Sequence, residues 1–201
     1  MTPPRAGLTR DIVIDIASEV ADRDGLELLS LKAIAAAVDV RPPSLYNHVD
    51  GLEDVHLGLR LRAFELLFSE QSAAIEGLPV EEWLPALAAA HRSFATNHPG
   101  LYAATHPTTH RPDEDPEVQR VSLQILDALV EAVSPFGLTD QESIHAVRAF
   151  RSLVIGFNLL ESAGHFGMPV GIDESFEYVV SLLTAGLKQS RPAVNGGGPS
   201  T

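Results

Sequence analysis

Two adjacent prolines, set between two short apolar patterns, constrain this chain more than any other feature. In the stretch SLKAIAAAVDVRPPSLYNHV, residues 30–49, the side chains Leu31, Ile34, Ala35 and Val38 recur at i, i+3, i+4 and i+7. That spacing puts one narrow apolar stripe on a short helix. Ser30 is placed to cap its first turn, offering an oxygen to an orphan backbone N–H. Asp39 can close the helix, because Asp tolerates the left-handed conformation better than most non-glycine residues, and Val40 plugs the turn from its apolar side. Pro42 and Pro43 then open a second helix, since a first-turn proline lacks only an N–H that would have had no partner. A residue before proline is pushed out of the helical region, which is the geometry an N-cap at Arg41 needs. Two short helices joined by a tight turn form a helix-turn-helix, whose second helix can enter a DNA major groove.

The rest of the chain reads as helix after helix. Thr9 caps a helix to about Asp24, with Ile12, Val13, Ile16, Ala17, Val20 and Ala21 inward and Gly25 as its stop. Asp50 and Glu53 have the spacing of a capping box, opening a long helix along Val55, Leu59, Ala63 and Leu67. Further helices are predicted over 80–97, where Pro85 bends the helix or shifts its start, over 99–105, 116–134 and 139–163, and over 174–188. Thr139 and Glu142 make a second capping box. No stretch has a convincing strand pattern. The expected fold is all-α, with about nine helices: an N-terminal three-helix helix-turn-helix domain over 1–50, preceded by a flexible arm at 1–8, joined by a long helix to a larger helical bundle domain over 51–188. Residues 106–116, rich in proline, are expected to be an exposed loop, and 189–201, ending NGGGPST, a disordered tail.

Charge narrows the functional classes. The net charge of −13 argues against a protein that coats nucleic acid without regard to sequence. Residues 1–62 hold seven basic and ten acidic side chains, a net −3, while the remainder carries −10. DNA binding by this chain therefore requires positive charge gathered on one face. The chain has no cysteine, so thiolate metal sites and disulfides are excluded. It has no Gly-rich phosphate loop and no nucleophile–base spacing, so an enzyme is not expected, nor is a cofactor. His98, His106 and His110 match no metal-ligand spacing, and no metal is expected. No apolar run reaches membrane-spanning length and no secretory signal opens the chain, so a cytoplasmic protein is expected.

The motif positions Leu29-Ser30, Ile34-Ala35, Asp39-Val40-Arg41 and Leu45-Tyr46-Asn47-His48-Val49 resemble the DNA-binding domain of the TetR family of transcriptional regulators over residues 9–60. Residues 150–187, with Glu174-Ser175-Phe176 and Gly186-Leu187, are similar to the carboxy-terminal domain of one TetR subgroup. The resemblance implies that Tyr46 and His48 hydrogen-bond DNA phosphates, which positions the duplex without reading it. Arg41, Ser44 and Asn47 would face the groove, where Arg suits guanine and Asn suits adenine, and Pro42 and Pro43 offer apolar contact only. One departure matters: the basic residue usual at the start of the next helix is Leu52 here, flanked by Asp50, Glu53 and Asp54. Thr9, Arg10, Ser30 and Lys32 would have to compensate in gripping phosphate.

The last two long helices carry apolar side chains on more than one face, with stripes at Phe176, Val179, Val180, Leu183 and Leu187 and at Tyr178, Leu182 and Ala185. A helix apolar on two sides is buried on two sides. The resemblance implies a homodimer through these two helices, suited to an inverted-repeat operator in double-stranded DNA. It also implies a small-molecule effector. Trp83, Leu87, His91, Phe94, Tyr102, Phe150, Leu153, Phe157, Asn158 and Glu161 are the residues expected around its pocket, with His91, Asn158 and Glu161 as polar anchors. A helical ligand-binding or protein-docking module that does not bind DNA is the rival reading.

Overall fold

The computed structural model describes residues 7–106 and 115–189. Among these it contains no strand and eight α-helices: α1 Arg10–Asp24, α2 Leu31–Ala37, α3 Leu52–Ile75, α4 Trp83–Asn97, α5 Pro99–Ala104, α6 Pro116–Val133, α7 Asp140–Ser162 and α8 Ile172–Gln189. A six-residue 3-10 helix, Pro42–Asn47, lies between α2 and α3. The all-α architecture of about nine helices is thus what the chain forms. Most of the expected arm, of the 106–116 loop and of the tail lies outside the described residues.

Helix ends follow their caps. Thr9 Oγ1 accepts the N–H of Ile12 at 3.3 Å and Ser30 Oγ accepts that of Ala33 at 3.2 Å. At α7 the Thr139 hydroxyl accepts the Glu142 N–H while the Glu142 carboxylate accepts the Thr139 N–H at 2.8 Å, the reciprocal capping box. Asp39 adopts φ 55°, and the N–H of Val40 reaches back to Ala35 O at 3.0 Å, which closes α2. The start of α3 is set differently from the box expected at Asp50 and Glu53. α3 begins at Leu52, so the capping position falls on Gly51, which has no side chain, and the third helical position falls on Asp54. It is Asp54 whose carboxylate reaches back, accepting the Asp50 N–H at 3.1 Å. Pro85 shifts a helix start: α4 begins at Trp83 with Pro85 in its first turn, after a 3-10 turn at Val80–Glu82.

The chain forms two compact units that are not consecutive in sequence. The first takes residues up to Ser72 and then Ser93–Ile125; the second takes Ala73–Arg92 and the chain from Leu126 onward. This differs from the division at residue 50 drawn from the sequence, and the first unit shows why. Its core joins Val13, Ala17 and Val20 of α1, Ile34 and Ala35 of α2, and Leu45 and Val49 to Phe94, Leu101 and Tyr102. α3 adds Val55, Leu59, Ala63 and Leu67, one helical turn apart. Two glycines permit the closest approaches. A Cβ on Gly58 would fall 2.4 Å from Ile14 Cδ1, so the space it leaves buries Ile14, a residue outside the predicted stripe. A Cβ on Gly100 would fall 2.2–2.5 Å from backbone atoms of Ala21 and Asp22, so α5 lies directly on the end of α1. Asp22 completes that seat. Its Oδ1 accepts the N–H groups of Gly100 at 2.8 Å and Leu101 at 3.1 Å, capping α5 with a carboxylate from another helix.

The second unit packs Leu84 and Leu87 of α4, Leu129 and Val133 of α6, Val147, Phe150, Val154 and Phe157 of α7, and Phe176 and Val180 of α8. Arg92 ties three of these helices. Its guanidinium donates to both oxygens of Glu161 at 2.7 and 2.8 Å and to Asp173 at 2.7 Å. It also lies 5.7 Å from the ring centre of Phe157 and 5.1 Å from that of Phe176.

Candidate nucleic-acid interface

The 3-10 helix at Pro42–Asn47 is a local consequence of its sequence. Neither proline can donate, so the first available N–H is that of Ser44, and it bonds to Arg41 O at 2.9 Å, three residues back. At the other end the N–H of His48 bonds to Leu45 O at 2.9 Å. The expected second helix is therefore a tighter, six-residue turn. Leu45 and Val49 anchor it in the first core, both essentially inaccessible. The side chains between and before them are thrown outward: Tyr46 is 62% exposed, Arg41, Pro42, Pro43 and Asn47 are exposed, and Ser44 and His48 are half-buried. A rigid turn held by two buried aliphatics and lined by a guanidinium, a carboxamide and a phenol has the chemistry to meet base edges and phosphates.

The four residues assigned to phosphate stand at helix starts. Thr9 and Ser30 already accept an N–H each as caps, and each hydroxyl retains a proton to donate. Lys32 is exposed on α2. Arg10 is not a free cation. Its Nη2 and Nε donate to Asp54 Oδ1 at 2.7 and 3.2 Å, a fork of hydrogen bonds across α1 and α3. That hydrogen bond holds the Asp54 carboxyl below the usual carboxylate range, with the Asp50 N–H adding to the effect.

The ten residues expected around an effector pocket are divided between the two units. Phe94 and Tyr102 belong to the first core, and Leu87, Phe150 and Phe157 to the second, with Trp83 and Leu153 at its edge. The Trp83 indole N–H donates to Leu78 O at 3.0 Å, and Glu161 is held by Arg92. Asn158 is buried and His91 half-buried. The second unit also has an apolar groove of about 370 Å³ between α4 and α8, lined by Pro85, Ala89, Phe176, Val180, Thr184 and Lys188, none of them from that set. Only its α8 stripe was legible beforehand.

Comparisons with known proteins bear on both halves. The pattern described as "Tetracyclin repressor-like, C-terminal domain" matches residues 84–183. The HTH-type transcriptional regulator YobS of Bacillus subtilis is 33% identical over 185 residues, covering 92% of this chain and 95% of its own length. An HTH-type transcriptional regulator of Mycobacterium tuberculosis is 31% identical over 198 residues, covering 98% of this chain and 88% of its own. This chain belongs to the TetR family. Solved structures agree on the fold. A protein from a Rhodococcus species superposes with a TM-score of 0.78 at 21% identity, over 94% of this chain and 100% of that one. A TetR variant from Acinetobacter baumannii in complex with minocycline superposes with a TM-score of 0.68 at 22% identity, over 92% and 99%.

TetR-family proteins are ligand-responsive DNA-binding transcriptional regulators, a non-enzymatic class that acts as dimers. Among the described residues no single helix is long and apolar enough to cross a membrane. One residue of this TetR-family chain gave no signal in the sequence. Gln71, amid the polar run Ser69–Ser72, continues the buried stripe of α3 and is 2% exposed, with both amide atoms unpartnered among the described residues. An unpaired buried amide costs about 1–3 kcal/mol. Gln71→Leu is therefore expected to raise the melting temperature by about 2–12 °C. A thermal melt that shows a fall instead would mean the amide is paired in the folded chain.

Proposed function

We propose that the chain is a cytoplasmic, homodimeric repressor that binds an inverted-repeat operator and releases it when a small apolar or amphipathic effector binds the carboxy-terminal half. The observation that carries this reading is the exposed row Arg41, Pro42, Pro43, Tyr46 and Asn47 on a turn whose Leu45 and Val49 are buried. Arg41, Ser44 and Asn47 approach base edges, Pro42 and Pro43 make apolar contact, and Tyr46, His48, Thr9, Ser30 and Lys32 hold phosphates. The dimer forms through α7 and α8, supported by the exposed large apolar side chains Leu159 and Leu160 on the one and Tyr178 and Leu182 on the other. The α4–α8 groove fits the effector class, being apolar with Lys188 and Thr184 as polar contributors. Effector binding acts by population shift, favouring a dimer shape whose two recognition turns no longer match successive grooves about 34 Å apart.

Selection of bound sequences from a random duplex pool tests this directly: an inverted repeat is expected, and recovery of no enriched sequence would remove the operator reading. On the selected duplex, Tyr46→Ala is expected to weaken binding about tenfold on operator and random DNA alike. Asn47→Ala is expected to relax preference at one base pair, a loss of about 1–3 kcal/mol confined to the operator. Equal losses on both duplexes for both variants would contradict that division of roles. A salt series separates the rival, since a protein-docking module would show no affinity for duplex and hence no negative slope with salt.

A further inference from the structure

The first unit disposes of its cations in a particular way. Of the four arginines on α1 and α3, Arg10 is forked to Asp54, Arg23 to Asp24 at 2.6 and 2.8 Å, Arg62 pairs with Asp15, and Arg60 lies 6.0 Å from the ring centre of Phe64. Among the described residues, Lys32 and Arg41 pair with no carboxylate. The Arg10–Asp54 pair is the one beside the recognition turn. Asp54 Oδ2 accepts the N–H of Asp50, two residues beyond His48, so the carboxylate is fixed at the point where the turn hands over to α3. Arg10 is the first residue of α1 and Asp54 lies in the first turn of α3, so the pair occupies the meeting place of two helix starts, where an anion is electrostatically favoured. Gly58 of α3 lies beside the guanidinium, where a Cβ would be in ordinary contact with Arg10 Nη2 at 3.4 Å. Arg10 nevertheless remains 42% exposed, against 22% for Asp54, so one side of the fork is open to a second anion.

A carboxylate and a phosphate diester ask the same thing of a guanidinium: two parallel N–H donors in one plane. We infer that Asp54 stands in for a DNA phosphate in the unbound chain, occupying Arg10 until a correctly seated duplex phosphate displaces it, so that Asp54 is a specificity-determining residue which suppresses binding to arbitrary sequence. The inference rests on the DNA-binding reading above and deepens it. Exposed ion pairs are weak in water, so the exchange is close to balanced. A duplex that brings base contacts as well tips it, whereas random DNA, held by phosphates alone, gains little from Arg10 while the carboxylate remains.

The test uses the full chain, a 30-base-pair random-sequence duplex and a duplex from the pool selection, with affinities measured from roughly 50 to 200 mM NaCl. Asp54→Asn keeps an oxygen for the Asp50 N–H and removes the charge. It is expected to bind random duplex about three- to tenfold more tightly at low salt, with a log–log salt slope steeper by about one, the signature of one added phosphate contact. The selected duplex should gain less, so discrimination between the two falls. In an Arg10→Ala background the gain should shrink below about twofold. Helical content by circular dichroism checks folding, and Asp54→Ser serves as the second charge-removing variant if Asn disturbs the turn. Unchanged random-duplex affinity in a folded variant, or a gain that survives Arg10→Ala, overturns the inference while the DNA reading stands. A wild-type chain without any salt-dependent duplex affinity overturns the DNA reading itself, and the inference with it.

Discussion

Replacing Gly100 with alanine is expected to destabilise the folded chain by about 3 kcal/mol and lower its melting temperature by about 6–12 °C. In isolation the exchange should help, because alanine is favoured over glycine inside a helix by roughly 1 kcal/mol. The packing decides the sign. The added carbon would stand 2.2 Å from the carbonyl carbon of Ala21, 2.4 Å from its oxygen and 2.5 Å from the nitrogen of Asp22. These are backbone atoms in the last turn of α1, which cannot rotate away as a side chain would. α5 must therefore lift, and the two hydrogen bonds from Gly100 and Leu101 to Asp22 Oδ1 lengthen together. Hydrogen exchange at the Leu101 amide should accelerate in the variant. A melting temperature equal to or above wild type would show that α5 is not seated on α1.

Arg92→Ala comes next in size, with an expected loss of about 2–3 kcal/mol. A fully buried pair broken on one side costs about 3–5 kcal/mol, because the abandoned charge has no water to receive it. Here the value is discounted. Arg92 and Glu161 are each about one-fifth exposed, and Asp173 is largely in solvent, so its share is small. What remains is the paired fork to Glu161 and the guanidinium plane over Phe157 and Phe176. Arg92→Met restores the aliphatic stem and should recover part of the loss, whereas Arg92→Lys keeps the charge but has no fork and should fall short of wild type. Chemical denaturation of the three variants checks the order Arg above Met and Lys above Ala. A lysine variant as stable as wild type would reduce the contact to a simple charge pair.

These two sites also mark where reading the chain in one dimension stops. Features decided within five residues were legible: the caps at Thr9 and Ser30, the Thr139–Glu142 box and the left-handed Asp39 all follow from side-chain chemistry next to the backbone group it satisfies. Features decided by residues far along the chain were not. Gly100 reads only as one position in the short helix expected after Pro99, yet its role is to let one backbone touch another seventy-eight residues away. Asp22 reads as a solvated helix residue, and Gln71 as another, until the fold covers them. The recognition segment was half legible. Its position, its prolines and its outward residues follow from sequence, but the 3-10 form of the helix does not, and no pattern in the first ten residues ties Arg10 to Asp54. For the residues expected around an effector, aromatic and aliphatic side chains at helical spacing serve a packed core and a pocket lining equally well, and the sequence alone does not separate the two.

The winding of Pro42–Asn47 has a consequence for how DNA would be measured out along it. A 3-10 helix repeats every three residues and climbs about 2.0 Å with each, so Ser44 and Asn47 stand one above the other about 6 Å apart, with Arg41 just before them in extended backbone. Stacked base pairs are about 3.4 Å apart. On the proposed reading, with the turn lying along the groove, Ser44 and Asn47 fall nearly two base steps apart, and the half-site is expected to leave a step between the positions they set.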